Sequence, residues 1–280
     1  MEESDIQRAA EAIAAADALL ITAGAGMGVD SGLPDFRGIQ GFWKAYPAVA
    51  RLGLSFAQIA DPSWFERDPQ LAWAFYGHRL NLYRHTQPHE GFAQLLAWTA
   101  TKAAGFFVFT SNVDGHFQKA GFDAGRIVEC HGSINHFQCA NSCCQDIWEA
   151  AGESVSVDET VFRAGPPLPR CRHCGGLARP NILMFNDGSW LARRSEMQSQ
   201  HFAEWIASLK KKSARFAVVE LGAGTTIPTV RRTSETTARQ LAGRLIRLNP
   251  WDPEVPPGQI GLALGAAAGI QQLNQALSKM

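Results

Sequence analysis

The chain has 280 residues, and its 26 Lys plus Arg balance its 26 Asp plus Glu to a formal net charge of zero. That balance argues against a protein built to wrap a nucleic-acid backbone, which needs concentrated positive charge. Hydrophobic residues at 46% and aromatics at 10% exclude a disordered chain and suit a globular one with a sizeable core.

No stretch reaches the ~18 consecutive apolar residues of a membrane helix. The acidic start, Met1-Glu2-Glu3-Ser4-Asp5, is unlike a signal peptide. Six cysteines without an export signal point to a reducing, cytoplasmic setting, where clustered thiols suggest metal before disulfides.

A helix opens the chain, with Ser4 and Gln7 at capping-box spacing and apolar positions at Ala9, Ala10, Ala12 and Ile13. Residues 18–21 read as a short strand that runs into glycine-rich sequence. Residues 38–84 are aromatic-rich and helical. Within them Asp68-Pro69 suits the N-cap and first position of a helix whose one face carries Tyr76 and Arg79. Strands return at residues 105–109, running into Thr110-Ser111-Asn112-Val113-Asp114, and at 127–130, running into His131-Gly132. Residues 135–179 hold five of the six cysteines. A helix then ends at Lys210-Lys211-Lys212, where positive charge suits the helix dipole. Residues 215–221 run into Gly222-Ala223-Gly224, residues 245–248 end at Asn249, and residues 260–264 end at Gly265 before a final helix.

These strands are apolar without alternation, as in a parallel sheet covered on both faces, so the fold class is α/β. Each carries small and polar residues just past its last apolar position, the edge at which open parallel sheets bind ligands. The turn after the first strand, Ala23-Gly24-Ala25-Gly26, lets backbone amides and a helix N-terminus face a pyrophosphate. The hydride-transfer fingerprint is broken, because Val29 stands where a third glycine belongs and no strand with a terminal acid follows about twenty residues on.

Cys171-x-x-Cys174 has zinc-knuckle spacing, and Gly175-Gly176 permits the tight turn beneath a metal. The other pair is Cys139 with Cys143 or Cys144, Cys143 being preferred. Four thiolates make a closed structural site, so the ion stabilises a small module rather than catalysing. Cys130 reads as a core thiol. The stretch 145–170 between the pairs lacks apolar periodicity and reads as including a flexible loop.

Gly24-Ala25-Gly26 followed by Ser31-Gly32-Leu33-Pro34-Asp35-Phe36-Arg37 resembles the sirtuins, NAD-dependent protein deacylases. The resemblance continues through Thr110 to Asp114, Cys130-His131-Gly132-Ser133, the two cysteine pairs, Arg179-Pro180-Asn181 with Phe185, Gly222-Ala223-Gly224, Asn249 and Gly265-Ala266-Ala267. It implies a Rossmann-like sheet with helices on both faces over about 1–37, 86–134 and 181–280, a helical insert at 38–85 and a zinc module at 135–180. NAD would be consumed as co-substrate, beside one structural Zn2+.

The resemblance also implies roles. The acyl oxygen of an acylated lysine attacks the ribose as nicotinamide departs, and His131 serves as general base on a ribose hydroxyl. Free lysine, nicotinamide and O-acyl-ADP-ribose result. Asn112 holds the ribose and water, Asp114 the nicotinamide amide, and Phe36 shields the reactive ribose face. Asp35 and Arg37 belong to the cofactor loop, which Arg37 helps to order. Gly24, Ala25, Gly26, Gly222 and Gly224 line the phosphates and ribose, with Asn249 and Ala267 near the adenosine.

The chain departs from the family pattern at four places. Gly28 stands for Ser, Ser111 for Gln, Phe185-Asn186-Asp187 for Phe-Gly-Glu, and Gly222-Ala223-Gly224 for Gly-Thr-Ser. Asn186 bears on recognition of a peptide by strand addition. Tyr76 and Arg79 resemble the Tyr-x-x-Arg pair of sirtuins that accept acidic acyl groups, since Arg grips a carboxylate bidentately. The plainer alternative is a core Tyr and a solvated Arg. A mono-ADP-ribosyltransferase or NAD glycohydrolase on the same fold, and an NAD-binding sensor, are the competing functions. The sequence leaves the oligomeric state open.

Overall fold

The computed structural model describes residues 3–34 and 38–280. Eleven strands occur among them: β1 Ala18–Ala23, β2 Phe106–Thr110, β3 Ile127–Glu129, β4 Gly132–Cys139, β5 Ile147–Glu149, β6 Val157–Asp158, β7 Arg163–Ala164, β8 Ala178–Ile182, β9 Phe216–Leu221, β10 Arg244–Leu248 and β11 Ile260–Leu262. Six of them form one parallel sheet in the order β11-β10-β9-β1-β2-β3. That is the doubly wound order, and it reverses between β1 and β9, so a crevice opens at their C-terminal ends.

The unbroken apolar strands have a direct cause. Leu19 and Ile21 of β1 join one buried cluster with Ile13, Leu95 and Ile270 from helices Glu3–Ala15, Glu90–Ala100 and Ala266–Leu277. Ala18 and Leu20 face the other way, toward Trp205, Leu209 and Val230 of helices Arg193–Lys212 and Thr229–Gln240. Both faces are covered, so most residues of both sets are apolar, and the buried polar ones are paired: Thr22 with Ser234 at 2.8 Å, and Glu220 of β9 with Arg247 of β10. Helix Glu3–Ala15 already includes Ser4 rather than starting after it, and the Gln7 amide donates forward to Glu11 at 3.1 Å.

The second lobe has its own core. Helix Pro69–His85 starts as its sequence dictates, with the Asp68 carboxylate accepting from the Leu71 amide and Pro69 at the first turn. Phe42, Tyr46, Trp73, Phe75 and Tyr76 of the helical segment pack in one cluster with Phe137, Cys139, Trp148 and Cys171. The helical and cysteine-bearing segments therefore share a single hydrophobic interior. The stretch between the cysteine pairs is folded rather than loose. Val155, Phe162 and Ala164 are buried in the same cluster, β6 pairs with β7, and Arg163 meets Asp68 at 2.9 Å. Arg84 donates to the Ala150 carbonyl at 2.7 Å and to that of Glu153, and Asn81 donates to the Val155 carbonyl at 2.8 Å. Its apolar side chains are spaced for a hairpin seated on a helix, which no single-period pattern reveals. Gly77 permits the seating, since a Cβ there would come 2.5 Å from Val155 Cγ1.

Candidate active site and metal centre

The rim residues fall in the same order as the strands that carry them. Gly24 to Gly26 follow β1, Asn112 follows β2, His131 follows β3, Gly222 to Gly224 follow β9, Asn249 follows β10, and Ala267 lies past β11. Backbone and amide hydrogen bonds lace them together. The Gly24 amide donates to the Leu221 carbonyl at 2.9 Å and the Gly26 amide to that of Gly222 at 3.0 Å. The Asn112 side chain donates to the Gly24 carbonyl at 2.9 Å, and the Cys130 amide to that of Thr110 at 2.9 Å.

The glycines serve this contact first. A Cβ on Gly24 would lie 2.8 Å from Ala223 Cα, and one on Gly222, at φ +56°, would lie 2.5 Å from the Gly26 backbone. Two strand-to-helix turns thus press backbone to backbone. Among the described residues the amides of Ala25, Ala223 and Gly224 make no hydrogen bond. Gly224 has open space where a side chain would stand. Unpaired amides on two adjacent turns beside open space fit a pyrophosphate. The helix after Gly24-Ala25 is one turn long, Gly26–Val29, so these amides rather than a helix dipole would carry the attraction.

Asn249 is fully buried, and its carboxamide is committed to the protein. It donates to the Ala223 carbonyl at 2.9 Å and accepts from the amides of Trp251 and Asp252. The Ala267 amide donates to Asp30 at 2.8 Å. Arg231, which no motif singles out, clamps the same rim by donating to the carbonyls of Ala223 and Asp252.

His131 is half-buried at the end of β3. Burial holds its pKa below the usual imidazole value, and a hydrogen bond with the Ser111 backbone works against that shift. Its carbonyl accepts from the Leu183 amide at 2.9 Å, which ties the rim to β8. The strand that presents it is pinned from behind: buried Glu129 meets Arg194 at 2.5 Å, and Ser195 donates to the Glu129 carbonyl at 2.8 Å. Two residues of one helix, 65 or more positions away in sequence, thereby fix where His131 emerges. Asp35, Phe36 and Arg37 lie outside the described residues.

Asp114 faces the helical insert. Burial pushes its carboxyl up, while His116 and the Arg79 cation pull the other way. Tyr76 is a core residue, 1% exposed and stacked on Phe65 at 5.7 Å. Arg79 is not solvated; it is 6% exposed. Its guanidinium lies 5.3–5.9 Å from the rings of Phe56, Phe75, Tyr76 and Tyr83, and Nε donates to the Tyr83 hydroxyl at 2.9 Å.

Phe185 is 36% exposed and its amide donates to the Ala60 carbonyl at 2.9 Å. Asn186 holds φ +56°, the left-handed conformation a glycine would supply, and its side chain donates to Asp61 at 3.1 Å. Asn adopts this conformation more readily than most other side chains. Asp187 receives Arg179 bidentately at 2.7 and 2.9 Å, with both side chains at most 1% exposed.

In the cysteine module the Sγ atoms of Cys139, Cys143, Cys171 and Cys174 all lie within 4.8 Å of one another. Two of the separations are 3.8 and 3.6 Å. Zinc–sulfur bonds of about 2.3 Å in a tetrahedron put the sulfurs about 3.8 Å apart, so the four thiols fit a closed zinc site. Cys144 is not in that set. The knuckle turn is closed by the Cys171 amide on the Gly176 carbonyl at 2.7 Å, with Gly175 at φ +68°. Cys130 packs against the sheet, and burial pushes its thiol up to about 12.

The Sir2 family model matches residues 24–213, so the chain belongs to that family. The NAD-dependent protein deacylase of Thermococcus kodakarensis is 36% identical over 182 residues, covering 64% of this chain and 63% of its own. NAD-dependent protein deacylase 2 of Pyrobaculum aerophilum is 33% identical over 181 residues, covering 64% and 62%. The match thus spans less than two thirds of those relatives. The Thermus thermophilus NAD-dependent protein deacylase, 28% identical over 277 residues, covers 96% of this chain and 93% of its own. Among solved structures, a mutant Sir2 homologue in complex with 2'-O-acetyl ADP ribose superposes with a TM-score of 0.67 at 25% identity, covering 100% of this chain and 97% of that one. A Sir2 homologue–NAD complex superposes at 0.69, covering 100% and 94%, and at 24% identity it speaks for the fold alone. No helix among the described residues is long and apolar enough to cross a membrane.

Proposed function

We propose that the protein is an NAD-dependent lysine deacylase that moves the acyl group of an acylated protein lysine onto ADP-ribose and releases nicotinamide. NAD supplies both the leaving group and the acceptor hydroxyls, and one water is consumed as the lysine amine is freed. One observation carries this reading: a half-buried imidazole of lowered pKa stands two strands from paired glycine turns with unpaired amides, on a sheet of Sir2-family topology. A base that is neutral near pH 7 suits proton removal from a sugar hydroxyl.

His131 is the general base. Asn112 holds the ribose edge from the Gly24 carbonyl outward, and Asp114 receives the nicotinamide amide. Gly24, Ala25, Gly26, Gly222 and Gly224 line the phosphates. Ala267 lies toward the adenosine, and Asn249 acts through the loops it ties. We carry Asp35, Phe36 and Arg37 over from the family pattern as the cofactor loop. Phe185 and Asn186 flank the substrate strand, and Cys139, Cys143, Cys171 and Cys174 hold the structural zinc. The ring-walled Arg79 next to Tyr76 suits an acyl chain ending in a carboxylate, such as succinyl or malonyl. None of the six cysteines is in a disulfide, in keeping with a cytoplasmic setting.

Mass spectrometry of the products from NAD and a panel of acyl-lysine peptides tests this. O-acyl-ADP-ribose with free lysine peptide is the expected outcome. Protein-linked or free ADP-ribose with the peptide unchanged would replace it with ADP-ribosyl transfer or NAD hydrolysis.

A further inference from the structure

A second constellation sits on the outer side of the cysteine module. The Sγ of Cys144, a carboxylate oxygen of Asp146 and a ring nitrogen of His173 lie within 4.8 Å of one another. They come from two segments. Cys144 and Asp146 follow the first cysteine pair, and His173 projects from the knuckle turn between Cys171 and Cys174. His173 Nε2 already meets the Asp146 carboxylate. An exposed ion pair of that kind contributes little by itself. A thiol brought to the same point, part-buried against the lobe's core, gives the cluster a different character.

We propose that Cys144, Asp146 and His173 form a second, exchangeable binding site for a divalent transition-metal ion, separate from the four-thiolate centre. The chemistry of the donors selects the ion. A thiolate with an imidazole favours Zn2+, Co2+ or Ni2+ over Mg2+ or Ca2+, which prefer oxygen. Three protein ligands leave one position of a tetrahedron for water, so this ion exchanges where the enclosed one does not. Electrostatics favours it too. Four thiolates around one dication leave the first centre negatively charged, and Cys144 is joined to its ligand Cys143 by a peptide bond. Filling the site ties the start of the segment between the cysteine pairs to the knuckle turn, so the ion braces a region that packs on helix Pro69–His85.

Titration of the zinc-loaded full-length protein with Co2+, followed by absorption and by metal analysis after desalting, tests the site. The wild type is expected to take up one ion beyond its resident zinc, with a near-ultraviolet thiolate-to-cobalt band. His173→Ala and Cys144→Ser are expected to keep the resident zinc and to bind the added ion at least about tenfold more weakly. The melting temperature should rise with added Co2+ in the wild type and stay flat in both variants. Wild-type protein that stays at one ion per chain would overturn the proposal, as would His173→Ala that titrates like the wild type. So would Cys144→Ser that loses the resident zinc, because Cys144 would then belong to the first centre.

Discussion

The two lobes differ in how much of their interior is carried by covered strands and how much by single side-chain links. The sheet lobe buries mostly apolar strand residues beneath helices on both faces, with one buried charge network, Arg247 of β10 with Glu220 of β9 and Glu235, set among them. The smaller lobe relies on specific links: a bidentate Arg179–Asp187 pair, four clustered thiols, aromatic rings meeting edge to face, and side chains bonded to distant carbonyls. On the proposed function, the sheet edge would carry the chemistry and the smaller lobe the selectivity. The sheet edge carries His131 and the glycine turns, while in the smaller lobe Asn186 takes a left-handed φ of +56° with its side chain bonded to Asp61.

The contrast breaks most sharply at His131, the proposed base. His131→Ala should lower deacylation by about 10²–10⁴-fold with an unchanged melting temperature, measured by steady-state kinetics and calorimetry. Next comes the metal. Cys171→Ser should abolish zinc retention and melt the smaller lobe, with far-ultraviolet circular dichroism retaining the sheet-lobe signal; a wild-type melting curve would show that the thiols do not hold the lobe. Asp187→Ala leaves Arg179 buried without its partner and should cost about 3–5 kcal/mol in urea denaturation. Arg79→Met should reduce desuccinylation about tenfold or more beyond any loss of deacetylation, since a hydrogen bond to a charged group is worth about 1.5–3 kcal/mol. Equal loss on both substrates would remove the acidic-acyl reading. The smallest effect is in pH. With its pKa lowered by burial, His131 is neutral at pH 7, so kcat/KM should fall only as pH drops below the usual imidazole value of 6.5.

Much of the sheet lobe is legible in sequence because burial on two faces writes itself as largely apolar runs ending in small residues, although the buried Glu220–Arg247 pair between β9 and β10 is visible only in the fold. Its glycines carry a double meaning: Gly24 and Gly222 are required by each other's backbones, and only the fold reveals that contact. The smaller lobe is harder to read. The segment after Cys144 pairs with itself and packs on a helix that precedes it by tens of residues, so its apolar residues follow no period. Glu129, Arg194 and Arg231 support the rim through contacts far apart in sequence, and no local motif marks them. The cysteine spacing exposes the metal centre, and the geometry selects Cys143 from the adjacent pair.

The most direct measurement is a crystal structure of the protein with NAD and an acyl-lysine peptide. The account predicts the His131 imidazole within about 2.6–3.2 Å of a ribose hydroxyl, or one water away, on the side opposite the departing nicotinamide. An imidazole turned from the sugar into solvent, with the dinucleotide fully bound, would contradict it.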